Sequence, residues 1–174
     1  MYEERDIKIA SDHPSKDIKR QKAEMAEINA QSTLKGKELG KTVAKKYVDA
    51  IKGQVLGGET DNEELLLQRQ ILLAFAAISG FEEFCYDGDY KTAAKRAFLE
   101  YLKANNPELY AGATDNGALS FYYLAFRRGN EVERRIGQTF AMLCSHDGDP
   151  VYHELGEALY CWFTSVVKKA EQGK

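Results

Sequence analysis

Apolar residues recur every three or four positions along most of the chain, which is the spacing of amphipathic α-helices. β-Branched residues are sparse, and apolar and polar residues alternate only over short runs. Gly-containing turns separate the segments of helical period. The pattern predicts an all-α protein, an antiparallel helical bundle of about five helices with two additional N-terminal helices.

The N-terminal third of the chain differs from the rest in its weak hydrophobic pattern. Residues 1–14 are charged and aperiodic, which predicts a mobile tail. Two helices are expected over 15–32 and 35–53, the first polar with a stripe of Ile18, Met25 and Ile28, the second rich in lysine. The pair Gly57-Gly58 predicts a hinge after them. Three domains are therefore predicted: a mobile tail (1–14), a polar and lysine-rich helical arm with a Gly hinge (15–58), and a helical core domain (59–174).

The core domain is predicted to begin at a capping box formed by Thr60 and Glu63. The first of its five helices, ending near Phe84, is apolar on nearly every face and should be the central element. A loop of small residues is expected at 111–114. Six side chains are expected to share one hydrophobic cluster: Phe75, Ile78, Phe98, Phe140, Leu155 and Trp162.

Composition narrows the class of protein. The chain has 24 Lys+Arg against 27 Asp+Glu and a net charge of −3, unlike the basic balance of a dedicated nucleic-acid binder. Its three cysteines, Cys85, Cys144 and Cys161, are odd in number and far apart, so we expect core thiols in a reducing compartment. No apolar signal segment occurs in the first 30 residues. The most hydrophobic segment, residues 65–78, is interrupted by polar residues at 68–70 and is too short for a membrane span. We expect a cytoplasmic protein with no nucleic-acid and no membrane partner.

An aromatic helix and two arginine pairs form the candidate ligand-binding region. The arginine pairs flank the turn at Gly129, where guanidinium groups and helix N-terminal amides could hold an anion. The structural alternative is that the first pair favours a helix C-terminus and that Arg135 pairs with Glu131. A pocket joining one of the tyrosines to Arg134 or Arg135 would favour ligand binding, whereas an exposed flat apolar face would favour association. The candidate residues are Tyr122, Tyr123, Arg127, Arg128, Arg134 and Arg135.

Histidine and acidic residues cluster once, as His146, Asp147, Asp149, His153, Glu154 and Glu157. His153 and Glu157 share a helix face, as a metal-binding pair requires. The His146-Asp147 doublet resembles that of the all-helical HD-type metal phosphohydrolases, which implies a metal-dependent hydrolase. That family also has an upstream His and an Asp well downstream, whereas here the only earlier His is His13 and no Asp follows Asp149. Helix capping by Asp149 and a dipole contact by His146 explain the cluster structurally, so neither a metal nor a cofactor is predicted.

A second resemblance covers about 20 residues. Its residues are similar to the second half of the tetratricopeptide repeat: Gly88, Asp89, Tyr90, Ala94, Phe98 and Pro107. The first-helix pattern of that repeat is absent, and no unit recurs at its period. Short Gly-Asp turns between packed helices account for the match.

These observations favour a non-enzymatic helical protein–protein interaction or scaffold module that binds a protein partner or self-associates. The alternative is a small-ligand or anion-binding domain that uses the aromatic helix and the arginines, and the third hypothesis is a metal-dependent hydrolase. Because the apolar stripe of 35–53 is narrow, removal of residues 1–57 is expected to leave a folded body with lower solubility or altered oligomeric mass. The intact protein is expected to show no salt-sensitive DNA binding.

Overall fold

The computed structural model describes residues 14–53, 63–86 and 88–173. Within these ranges the chain forms α-helices and no β-strand, which confirms the all-α class. The predicted hinge at Gly57-Gly58, the Thr60 helix start and residues 1–13 of the predicted tail lie outside the described residues. The helices are α1 (Pro14–Lys52), α2 (Glu63–Phe84), α3 (Gly88–Asn105), α4 (Pro107–Ala113), α5 (Asn116–Arg127), α6 (Val132–Leu143) and α7 (Pro150–Glu171).

Two predicted elements differ from the observed ones. The two N-terminal helices are one continuous helix, α1, because the Gln31–Lys35 segment contains neither Gly nor Pro to interrupt it. The residues predicted as a loop at 111–114 instead include the end of a short helix, α4, which begins at Pro107. Proline suits the first turn of a helix, where its missing N–H costs no hydrogen bond.

The two halves of α1 have different surroundings. Side chains from Asp17 to Gln31 are all exposed, whereas Leu39, Val43 and Tyr47 in the second half are buried in the core. The second half lies along α3 and also contacts α2 and α7. The lysine-rich segment therefore contributes its apolar face to the core of the body.

Gly36 and Gly40 allow α1 and α3 to approach closely. A Cβ atom on Gly36 would overlap the Tyr90 carbonyl oxygen, and one on Gly40 would overlap the Ala94 carbonyl oxygen. The obstructing atoms belong to the backbone of α3, which cannot move aside as the end of a flexible side chain could. The two glycines, spaced by one helical turn, thus set the distance between the two helices.

We expect Gly40→Ala to lower the free energy of unfolding by about 1–3 kcal/mol, because the added methyl group must push α1 away from α3. Gly112→Ala is the matched control, since its Cβ would lie 3.8 Å from Ile71 Cγ1, an ordinary contact. That variant should be neutral or more stable by up to about 1 kcal/mol, as expected for Gly→Ala in a helix. Urea denaturation measures both, and equal stabilities would contradict the close contact.

The core surrounds α2, which is buried continuously from Ile71 to Phe81. Phe75, Phe98 and Phe140 are fully buried and belong to one core cluster, as predicted, whereas Ile78 is buried but is not among the residues of that cluster. Leu155 is half-buried and packs against the cluster. The prediction for Trp162 is wrong, because its side chain is 37% exposed.

Trp162 is exposed because the face of α7 that packs in the core is not the face on which Trp162 lies. The buried residues of α7 include Leu159, Tyr160, Phe163 and Val167. Val151, the first large apolar residue of α7, is 70% exposed. Apolar residues occupy more than one face of this helix, so spacing alone does not identify the buried face.

Among the described residues, one helix, α2, has the length and composition of a membrane-spanning segment. In this fold, 67% of its most apolar 18-residue window is buried inside the protein. Core helices of globular proteins share that composition, so α2 is weak evidence for a membrane span.

Candidate functional site

The candidate arginines lie on both sides of the turn between α5 and α6, as their spacing predicts. Arg128 and Arg135 line one groove of about 250 Å³. Arg134 lies at the surface with its Nη1 atom 3.3 Å from Glu131 Oε1, so Glu131 pairs with Arg134 and not with Arg135 as predicted. Arg127 lies near Tyr123, where its charge partly offsets the effect of burial on the tyrosine pKa. The fold thus brings two of the four arginines to one groove.

The candidate tyrosines belong to the core and do not line this groove. Tyr122 is fully buried, with its ring stacked on Phe75 at a centroid distance of 5.4 Å. Its hydroxyl finds no hydrogen-bond partner within the described part of the chain, and burial raises its pKa well above the usual value. Tyr123 is half-buried, with its ring edge-on to Phe75 at 5.2 Å. Both tyrosines therefore stabilise the α2–α5 contact.

The outer side of the same groove is apolar. Phe121 is 47% exposed, Leu124 54% and Met142 41%, and all three line the groove with Arg128 and Arg135. The groove therefore resembles an exposed apolar face bordered by arginine more than a pocket in which a tyrosine and an arginine converge. An exposed apolar face is the arrangement expected for association, whereas a pocket joining a tyrosine to an arginine was expected for ligand binding.

The histidine cluster makes local structural contacts. Asp149 accepts a hydrogen bond from the Val151 amide at 2.9 Å, which confirms that it caps α7. The His146 ring stacks on Tyr152 at 3.8 Å, and its Nδ1 atom lies 4.0 Å from Asp149 Oδ2. His153 is half-buried where α6 and α7 approach each other closely. The described residues contain no group of three or more His, Cys, Asp or Glu side chains placed to hold a metal ion.

The three cysteines differ in exposure. Cys85 and Cys144 are buried as predicted, and burial, with a smaller effect of a nearby glutamate, raises their pKa to about 11 and about 12. The prediction of a core position for Cys161 is wrong, since its side chain is exposed on α7. Partial burial, followed by the charges of Glu133 and Glu157, raises the Cys161 pKa. A protonated thiol is a poor nucleophile, so none of the three shows the environment of a reactive cysteine.

A larger cavity, of about 550 Å³, lies between α2, α7 and the α5–α6 turn. We call it the α2–α7 cavity. Its lining residues come from four helices and have no common spacing along the chain, so no sequence pattern could identify it. Those with the most distinctive chemistry are Glu83, Phe84, Phe126, Glu133, Tyr160 and Cys161.

The first half of α1, residues 17–35, is a second surface feature. Its apolar side chains are exposed: Ile18 by 48%, and Met25 and Ile28 by 64% each. Helical geometry places this stripe on the same side of α1 as Gly36 and Gly40, which α3 covers. α3 begins at Gly88, and Gly36 lies beside Tyr90 in its first turn. The stripe at residues 18–28 therefore lies beyond the N-terminal end of α3, which does not cover it.

Comparison of the chain with protein-family models, with curated proteins and with solved structures finds no match.

Proposed function

We propose that the protein is a non-enzymatic helical association module that pairs with a second copy of itself through residues 17–35 of α1. The proposal rests on one observation: the first half of α1 is amphipathic, and its apolar stripe is exposed. A helix of this length is marginal in water when nothing packs against it. A packing partner would stabilise it, as a hydrophobic groove does when it binds the apolar face of an amphipathic helix.

The stripe has the spacing of a two-helix seam. Ile18, Gln21, Met25 and Ile28 follow one another at intervals of three, four and three residues, which is the a/d pattern of a coiled coil. The seam is also continuous with the face of α1 that α3 already covers. A helix added beside residues 18–28 would therefore extend an existing helix–helix contact.

The spacing suits a second copy of the same segment in antiparallel orientation. If Ile18 of one copy lies opposite Ile28 of the other, Gln21 lies opposite Met25, and two-fold symmetry repeats both layers. An isologous contact of this kind uses one surface patch twice. The antiparallel direction also puts the two bodies at opposite ends of the pair, away from the start of α3. Because the seam is short and contains Gln21, we expect a weak dimer.

Replacing the stripe with Ile18→Gln, Met25→Gln and Ile28→Gln is expected to give a monomer at concentrations where the unchanged chain dimerises. Glutamine keeps helix propensity while removing apolar surface. Leu34→Gln is the matched control, because Leu34 is 61% exposed on α1 but lies off the stripe. Sedimentation equilibrium on the full-length chain measures the mass. A monomeric unchanged chain at its highest soluble concentration, or equal loss in the control, would refute the proposal.

The orientation has its own test in a Cys161→Ser background, which removes the exposed thiol. Antiparallel pairing predicts that a mixture of Ile18→Cys and Ile28→Cys chains forms a disulfide-linked heterodimer on mild oxidation. Each variant alone should remain largely uncrosslinked, since identical positions do not face each other. Crosslinking of each variant with itself would instead indicate a parallel pair.

A further inference from the structure

The α2–α7 cavity has the size and lining of a small-molecule site. Its volume of about 550 Å³ falls in the range of ligand pockets. The Phe84 and Phe126 rings supply apolar surface, and Tyr160, which is 3% exposed, lies deepest among its aromatic residues. Such a lining can hold the hydrocarbon part of a ligand while polar groups at the edge orient it.

Two carboxylates from different helices border the cavity. Glu83 belongs to α2 and Glu133 to α6, and both are exposed to solvent. The charges of both act on Tyr160, whose pKa is raised to about 12, chiefly by burial. The charge of Glu133 also acts on Cys161. Both carboxylates are therefore close enough to the cavity to influence a bound molecule.

These carboxylates are not neutralised within the described part of the chain. Neither Glu83 nor Glu133 has an ion-pair partner there within 4.0 Å, although Lys168 lines the same cavity. The Lys168 Nζ atom lies over the Phe84 ring, 5.6 Å from its centroid. The lining residues thus carry the two negative charges of Glu83 and Glu133 and the one positive charge of Lys168, a net charge of −1.

We propose that the α2–α7 cavity binds a small aliphatic amine of the diamine or polyamine class. Glu83 and Glu133 would accept charge-assisted hydrogen bonds from two ammonium groups, and the methylene chain between them would lie against Phe126 and Tyr160. The two carboxylates belong to different helices, so each can bind one ammonium group of a ligand that carries two. The site is on the body of the protein and does not depend on pairing through α1.

Isothermal titration calorimetry of the full-length chain with spermidine and with 1,4-diaminobutane tests the site. We expect saturable binding at one site, weakened about tenfold or more by Glu83→Gln with Glu133→Gln, since each change removes a charged hydrogen-bond acceptor. Glu108→Gln with Glu154→Gln is the matched control, because it removes the same number of charges from two exposed glutamates outside the cavity. Equal weakening in the control would show general charge attraction and overturn the proposal, as would absence of binding by both amines.

Cys161 provides an independent readout of where the amine binds. It lines the cavity and is exposed, whereas Cys85 and Cys144 are buried, so iodoacetamide should modify Cys161 first. Saturating spermidine is expected to slow this alkylation in the unchanged chain and to have little effect in the double Gln variant. Binding without protection of Cys161 would locate the amine elsewhere and overturn the assignment.

Discussion

Removing residues 1–57 is expected to unfold the protein, whereas removing residues 1–33 is expected to leave a folded body. The sequence pattern alone led to the opposite expectation for the longer deletion, because the lysine-rich helix looked detachable. In the structure, the deletion point at residue 33 separates the exposed half of α1 from its buried half. The two truncations therefore differ by the part of α1 that completes the core.

Tyr47 illustrates why removal of the second half of α1 is expected to unfold the protein. Its side chain is fully buried, and its hydroxyl donates a hydrogen bond to the Gln70 carbonyl oxygen at 3.1 Å. Its ring lies edge-on to Phe98 at 5.6 Å and to Phe163 at 6.1 Å, which connects α1 to α3 and α7. Loss of one large buried side chain costs about 2–5 kcal/mol. Loss of Leu39, Val43 and Tyr47 together would exceed the stability of most domains of this size.

Circular dichroism during thermal and urea denaturation distinguishes the two truncations. The chain lacking residues 1–33 should unfold cooperatively, and by the proposed function it should also remain monomeric. The chain lacking residues 1–57 should have reduced helix content and no cooperative transition. A cooperative transition in the longer truncation would show that α2 to α7 form an independent domain.

The sequence predicted the local structure of α1 better than its place in the fold. Leu39, Val43 and Tyr47 form an apolar stripe at i, i+4 spacing, and all three side chains are buried. Which element covers the stripe could not be read from spacing, because amphipathicity identifies a buried face but not its partner. Glycine disfavours a helix interior, yet Gly36 and Gly40 are the residues that let α1 approach α3 closely.

For the candidate site as well, the sequence predicted some features and missed others. Arg128 and Arg135 share a groove because they flank one short turn, a relation that sequence distance reveals. Tyr122 was expected near them, but neighbouring residues of a helix point in different directions, and the helix rotation placed it in the core. The α2–α7 cavity depends on four helices meeting, so its residues have no common signal along the chain.

Phe75→Ala is expected to cost about 3–5 kcal/mol, the usual range for a fully buried phenylalanine. The Phe75 ring stacks on Tyr122 at 5.4 Å and on Tyr160 at 6.2 Å, and it meets Tyr123 and Phe126 edge-on. It therefore joins α2 to α5 and α7. Its removal leaves a cavity between rings that are themselves held by several helices, so the surroundings cannot collapse to fill it.

Trp162→Ala is the informative comparison, because sequence spacing placed Trp162 in the same cluster. Its side chain is 37% exposed and contacts Phe163 edge-on at 5.7 Å, at a groove that also includes Lys46 and Val166. We expect its loss to cost less than half as much as that of Phe75, since less apolar surface returns to water. Urea denaturation of both variants, followed by circular dichroism because the chain has a single tryptophan, gives the difference. Equal costs would mean that Trp162 contributes to the core as strongly as a fully buried ring and that the assigned orientation of α7 is wrong.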